Sequence, residues 1–134
     1  GAVLAGLAGA SLGAGECVTV AVERMGATQV FMVPPGRALS AVAEAAPETP
    51  PALVVRDLRG TPLATVALGA EAAPVLTILE AGADTGAGSG AAPDAGPALS
   101  ITLECAAGAL DAGAAIRCLT DFAGRVEQPL RHLL

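Results

Sequence analysis

Apolar residues change their spacing along the first third of the chain. They first recur at helical spacing, which predicts a helix carrying Val18, Ala21, Val22 and Met25. Gly26 follows this pattern and is expected to end the helix. The next run, residues 28–33, is rich in β-branched and aromatic residues and does not strictly alternate, which is typical of a buried parallel strand. The pattern therefore predicts a helix followed by a strand.

Similar patterns recur to the end of the chain. Apolar runs predict strands over residues 52–56, 74–79 and 98–103. Helical spacing predicts helices over residues 38–45 and 63–70, and a closing helix that carries Leu110, Ala114, Ile116, Leu119, Phe122 and Val126, with Asp111 in its first turn. Because parallel strands need crossover connections, this alternation predicts an α/β fold. We expect a single-domain parallel sheet of about four or more strands with helices on both faces.

The expected domain starts after a Gly/Ala-rich leader. Residues 1–15 carry no charge and are either a short helix or a loosely packed leader, whereas residues 16–134 form the single α/β domain. Ligands of such sheets usually meet the loops at the carboxyl ends of the strands. Those loops are expected at residues 34–36, 57–60, 81–90 and 104–108. Residues 81–97 are either a flexible loop or a weak helix.

Composition narrows the classes of function. The 134 residues carry a formal net charge of −6 and include no lysine, so a nucleic-acid partner is not expected. No stretch has the roughly 20 clean apolar residues of a membrane span, and we expect a soluble, cytoplasmic protein. Cys17, Cys105 and Cys118 form no C-x-x-C pair, and His132 is the single histidine, so no metal site is expected. The thiols are interpreted as buried and free in a reducing compartment.

One stretch carries a familiar order of residues. A glycine that ends a predicted helix is followed by a strand and a Val-Pro-x-Gly turn; the matching residues are Gly26, Val30, Phe31, Val33, Pro34 and Gly36. This order resembles the start of the pyrimidine-binding domain of thiamine-diphosphate-dependent enzymes of the acetolactate synthase and decarboxylase type. There, a helix ending in Leu-Gly-Val leads to a strand Val-Phe-Gly-Val-Pro-Gly.

Later landmarks of that family follow in the same order, over roughly residues 15–105. Arg56 and Gly60 keep the register of the family's Arg-His-Glu and following Gly, which puts Leu58 at the position of the glutamate and Asp57 at that of the histidine. Gly82 and Thr85 stand in the place of a Ser-Gly-Pro-Gly-Ala-Thr-Asn loop. Residues 97–102 resemble the family's Pro-Leu-Leu-Ala-Ile-Thr.

The resemblance implies a cofactor site with a missing acid. It places six residues against cofactor or substrate: Pro34, Pro35, Gly36, Leu58, Gly82 and Thr85. In the family, the glutamate bonds to the aminopyrimidine ring of the cofactor and activates it, and Leu58 cannot exchange a proton. Asp57 could replace the glutamate only if the strand end shifted by one residue. Otherwise Asp57 caps the helix near Leu63 or solvates a loop.

Two hypotheses follow for the function. The first is a pyrimidine-domain-like subunit or fragment of a thiamine-diphosphate-dependent decarboxylase or carboligase, a lyase or transferase acting on a 2-oxo acid. Since the chain has no Gly-Asp-Gly motif to hold magnesium, it would bind thiamine diphosphate and magnesium only with a partner subunit that binds the diphosphate. The second is a degenerate, non-catalytic α/β domain that acts in assembly or regulation, as a homo- or hetero-oligomer.

A weaker alternative is a nucleotide-binding α/β domain. Its phosphate loop would be the glycine-rich residues 82–90, whose backbone amides could face a phosphate. No Gly-Lys-Ser/Thr follows these glycines, so a flexible loop is the preferred interpretation. Catalytic schemes that need a histidine depend on His132 alone, which is expected at the surface.

Overall fold

The fold is a six-stranded sheet with two helices, seen in a computed structural model that describes residues 2–13, 15–35, 41–61, 73–80, 99–106 and 109–127. The elements are α1 (Ala2–Leu12), β1 (Val18–Arg24), β2 (Ala27–Val33), β3 (Ala43–Glu44), β4 (Leu53–Asp57), β5 (Val75–Glu80), β6 (Leu99–Glu104) and α2 (Ala112–Glu127). The predicted α/β class, with at least four strands in one sheet, is confirmed.

The sheet is mixed, with the strand order β3-β2-β1-β4-β5-β6. The central pairs β1–β4 and β4–β5 are parallel, whereas β1–β2, β2–β3 and β5–β6 are antiparallel. The prediction of parallel strands is therefore wrong for β2 and β6. Antiparallel neighbours can be joined by a short turn and need no crossover helix, so alternating elements do not fix strand direction.

The predicted first helix is a strand that forms a hairpin with the next one. Arg24 pairs with Ala27, which leaves Met25 and Gly26 as a two-residue loop. Both have positive φ, 50° and 80°, as in the type I′ turns that match the twist of paired strands. The helical interpretation was wrong because apolar residues also occur at every second position, at Val18, Val20 and Val22.

The two helices pack together on one face of the sheet. They share one hydrophobic core with β1, β2, β4 and β5, in which Phe122 of α2 and Val20 of β1 are fully buried. The Gly/Ala-rich leader is therefore a helix in the core and not a loosely packed segment. Gly9 of α1 lies against β2, since a Cβ there would be 2.7 Å from Val33 Cγ1.

The opposite face of the sheet is also buried in its centre, at Ala21, Val30, Val75, Thr77 and Leu79. The two described helices do not cover that face. The helix predicted over residues 63–70 and the loop or weak helix predicted over residues 81–97 both lie outside the described residues. Neither described helix is long and apolar enough to cross a membrane.

The remaining predicted elements are mostly found within about one residue of the expected bounds. This holds for β4, β5 and β6, and α2 carries Ile116, Phe122 and Val126 as predicted. Asp111 caps α2, because its Oδ1 accepts a hydrogen bond of 2.7 Å from the N–H of Ala114. The helix predicted over residues 38–45 is wrong at its end, where Ala43–Glu44 pairs with β2 as β3.

Candidate functional site

The parallel strands bring three charged residues to one edge of the sheet. Arg24, Asp57 and Glu80 are the last residues of β1, β4 and β5, and these strands run in the same direction. In the backbone register of the sheet, Arg24 lies opposite Asp57. Asp57 lies opposite Ile78, which precedes Glu80 by two residues. Because side chains alternate along a strand, all three residues belong to the face on which the helices pack. Ligands of α/β sheets usually bind at this carboxyl edge.

Asp57 is held by the arginine that follows it two positions later. Its side chain is 0% exposed, and both carboxylate oxygens are bonded to the guanidinium of Arg59, from Nε to Oδ1 at 2.9 Å and from Nη2 to Oδ2 at 2.9 Å. The backbone N–H of Arg59 also donates to Oδ1, at 3.2 Å. Such a bidentate pair is the strongest geometry for an arginine and a carboxylate. Arg24 Nε lies farther away, 3.6 Å from Oδ2.

These contacts keep Asp57 ionised. Burial by itself raises the pKa of the Asp57 carboxyl, but the hydrogen bonds from Arg59 and the positive charges of Arg59 and Arg24 outweigh it and hold that pKa below its ordinary value. The bond to Asp57 in turn raises the pKa of Arg59. Asp57 accepts a hydrogen bond from the N–H of Arg59 in the loop after β4, with its carboxylate buried and paired. The alternative that it caps a helix near Leu63 concerns residues outside the described ranges.

A cavity of about 190 Å³ opens beside this pair. Its polar wall consists of Arg24, Asp57 and Arg59. Its apolar wall comes from both helices and β1, through Val3, Leu4, Leu7, Val22 and Val126. Sequence reasoning missed Arg24 and Arg59, since it placed Arg24 in a helix. The alternation of Val18, Val20 and Val22 was the feature that could have placed Arg24 at the end of a strand.

Of the six residues predicted to bind a cofactor, the structure describes Pro34, Pro35 and Leu58, and only Leu58 lies at this edge. Leu58 follows β4 here, and its N–H donates to the carbonyl of Ile78 at 2.9 Å. Pro34 and Pro35 follow β2, whose last residue, Val33, pairs with the first residue of β1. They therefore lie at the opposite edge of the sheet from Leu58. Gly36, Gly82 and Thr85 lie outside the described residues.

The expectation that four loops share the carboxyl edge is wrong for two of them. The loop after β2 is one, and the loop after β6 is the other, because Glu104 pairs with Val75, the first residue of β5. The physical reason is the same in both cases. Each strand runs antiparallel to its neighbour, so its carboxyl end meets that neighbour's amino end.

Three polar side chains lie side by side on the opposite face of the sheet. Glu23, Arg56 and Thr77 are paired in register on β1, β4 and β5. Arg56 Nε donates to Glu23 Oε2 at 3.0 Å. The buried Arg56 Nη1 and Thr77 Oγ1 have no hydrogen-bond partner among the residues that the structure describes. Arg56, a landmark of the sequence resemblance, therefore points away from the cavity that contains Asp57.

The cysteines differ in their surroundings. Cys118 on α2 is buried, and burial followed by the nearby charge of Asp121 raises the pKa of its thiol, which makes it less reactive. Cys17 is exposed and Cys105 is partly buried, so the prediction of buried thiols is correct only for Cys118.

His132 lies outside the described residues. Among the described ranges, no group of three or more His, Cys, Asp or Glu residues is placed to hold a metal ion.

Comparisons with protein-family models, with curated proteins and with solved structures found no match to this chain.

Proposed function

We propose that this chain is a non-catalytic α/β module that acts in assembly or regulation. The observation that carries the proposal is the state of Asp57. It is the one fully buried carboxylate of the described residues, at the edge where an α/β enzyme most often keeps its reactive groups. Arg59 occupies both of its oxygens.

An arginine-bound carboxylate is poorly suited to proton transfer. A general acid or base works best when its pKa lies near the working pH, and the pKa of Asp57 is lowered instead. Arg59, with a raised pKa, keeps its proton. The neighbouring Leu58 has an apolar side chain. The described wall of the cavity therefore recognises charge without supplying a proton.

The same geometry favours this module over a thiamine-diphosphate-dependent subunit. The hypothesis of a decarboxylase or carboligase needs Pro34, Pro35 and Leu58 to approach one cofactor. They lie at opposite edges of the sheet. A cofactor-binding role with magnesium and a diphosphate-binding partner subunit is thus the less favoured proposal.

Four large apolar side chains are 45–66% exposed: Val3, Met25, Met32 and Ile116. Each lies on a different part of the fold, and a partner that covers any of them removes apolar area from water. We propose a second copy of this chain as the partner, in the cytoplasm. The three free cysteines support a reducing compartment.

The test combines calorimetry with sedimentation velocity on the full chain. Thiamine diphosphate and magnesium are titrated into the chain, alone and with any protein that co-purifies, and into Leu58→Glu as the matched variant. We expect no binding heat in any titration, and an oligomer whose sedimentation coefficient is the same with and without cofactor. Cofactor binding by the unmodified chain, alone or with the co-purifying protein, would overturn the non-catalytic proposal, and a monomer at all concentrations would overturn self-assembly.

A further inference from the structure

Within the described part of the chain, Arg24 has unused capacity to bind an anion. Its Nε lies 3.6 Å from Asp57 Oδ2, beyond hydrogen-bond distance, and its side chain is 62% exposed. A guanidinium has five N–H donors, and Arg59 directs two of its own to the Asp57 carboxylate. Two cations therefore face one carboxylate at the polar wall of the cavity.

The charge around the cavity selects a weakly charged anion. Asp57 neutralises one of the two arginines, and Glu80 lies close enough to Arg59 to raise the pKa of Arg59 further. Of the two arginines, Arg24 has the longer contact with the Asp57 carboxylate, 3.6 Å against 2.9 Å for Arg59. Since the two arginines and the two carboxylates sum to zero, a ligand with a single negative charge adds less repulsion from Asp57 and Glu80 than a doubly charged phosphate does.

The rest of the cavity is apolar and small. Its apolar side chains are Val3, Leu4, Leu7, Val22 and Val126. A volume of about 190 Å³ equals about six water molecules at roughly 30 Å³ each, close to the size of a six-carbon acid. Apolar lining with a few convergent polar groups is typical of small-molecule sites.

We propose that this cavity binds a small amphipathic monocarboxylate, with its carboxylate on Arg24 and its alkyl chain against α1, β1 and α2. The inference names a ligand class for the regulatory role and rests on the proposed function only in treating the ligand as an effector and not as a substrate. Binding needs no movement of Asp57, because Arg24 and the unused donors of Arg59 take the added charge.

The test is a titration of the full chain with hexanoate, followed by NMR and calorimetry. We expect binding by the unmodified chain, and at least about tenfold weaker binding by Arg24→Gln, which removes a charge-assisted hydrogen bond. Arg117→Gln, the same change at an exposed site on α2, is the matched control and should bind as the unmodified chain does. Hexanol and inorganic phosphate should bind at least tenfold more weakly than hexanoate.

Three results would overturn the proposal: no hexanoate binding, equal binding by Arg24→Gln, or equal binding of hexanol or phosphate. Circular dichroism of Arg24→Gln should match that of the unmodified chain, which is expected because this side chain is mostly exposed. NMR of the recovered ligand separates the two proposals. Intact hexanoate agrees with an effector, whereas consumed hexanoate would contradict the non-catalytic function and leave the binding site in place.

Discussion

At the carboxyl end of β4, the Asp57 side chain is fully buried and still carries its charge. Removing a carboxylate from water disfavours ionisation, but here two hydrogen bonds from the Arg59 guanidinium, one from the Arg59 backbone and the more distant Arg24 charge compensate. Leu58, one position later, offers no such chemistry. The chemical character of this edge is thus decided by which side chains surround a single carboxylate.

Asp57→Asn should lower the free energy of unfolding by about 2–4 kcal/mol at pH 7, because it leaves Arg59 with a neutral partner in a buried site. The pKa of Asp57 is lower in the folded chain than in the unfolded chain. The Asp57 carboxylate therefore stabilises the fold fully at a pH above its unfolded-state pKa of about 3.9, and this stabilisation is lost as the pH falls through its folded-state pKa. The difference between the two proteins should therefore shrink as the pH falls below about 4. Urea denaturation at pH 7 and pH 3 measures it.

Asp121→Asn is the matched control, since Asp121 forms an exposed ion pair with Arg125 on α2. Its cost should stay below about 1 kcal/mol. An equal loss of stability in the two variants at pH 7 would show that burial of the Asp57 pair does not matter.

At the scale of elements, the β1–β2 hairpin shows how two periods overlap in one sequence. Val18 and Val22 suit a helical face as well as a strand face, because four positions are close to one helical turn and equal to two strand repeats. The turn settles the choice. Met25 and Gly26 adopt positive φ, and Arg24 and Ala27 close the ladder. The strands β4, β5 and β6 were easier to predict, since each is a short apolar run bounded by turn or polar residues and too short for a typical helix.

Met25→Asn should stabilise the chain by about 0.5–1 kcal/mol. Met25 has a φ of 50°, which costs energy for most residues, and asparagine followed by glycine is the preferred pair in such turns. Met32→Asn makes the same change at an exposed position within β2 and should destabilise it slightly, because asparagine is unfavourable in strands. Thermal unfolding followed by circular dichroism compares the two, and stabilisation by both or by neither contradicts the assigned turn.

At the scale of the whole molecule, α1 packs closely on one face of the sheet and completes the hydrophobic core. Seven of its residues are buried, among them Leu4, Leu7 and Gly9, and its sequence is almost uniformly small and apolar. Such a helix has no distinct polar face, so its pattern gives little indication of which side contacts the sheet. Its place in the core depends on β1, β2 and β4, which are separated from it along the chain.

Gly9→Ala should destabilise the fold by about 1–3 kcal/mol, although alanine favours helices, because the added Cβ would lie 2.7 Å from Val33 Cγ1. Gly124→Ala, on α2, is the matched control. A Cβ at Gly124 meets no atom within 4 Å, so that variant should be more stable by about 1 kcal/mol. Chemical denaturation measures both, and a stable Gly9→Ala variant would show that α1 does not pack closely on β2.

The sequence alone determined the α/β class, the strands β4, β5 and β6 to within one residue, and most of α2. Asp111, expected in the first turn of that helix, instead precedes Ala112 and caps it. These elements depend on local properties: the spacing of apolar residues and the hydrogen-bonding capacity of a side chain next to a helix end. The sequence also placed Asp57 and Leu58 at the end of a strand. It did not identify Arg24 as their neighbour, because strand pairing joins residues that are far apart in the chain.

Only the tertiary structure decided strand direction, and strand direction decided the site. Because β1, β4 and β5 run parallel, Arg24, Asp57 and Glu80 meet at one edge. Because β2 runs antiparallel, Pro34 and Pro35 lie at the other edge, away from Leu58. Local sequence sets where a strand begins and ends, but the direction in which it pairs follows from burying both faces of the sheet at once, and that depends on the packing of all elements together.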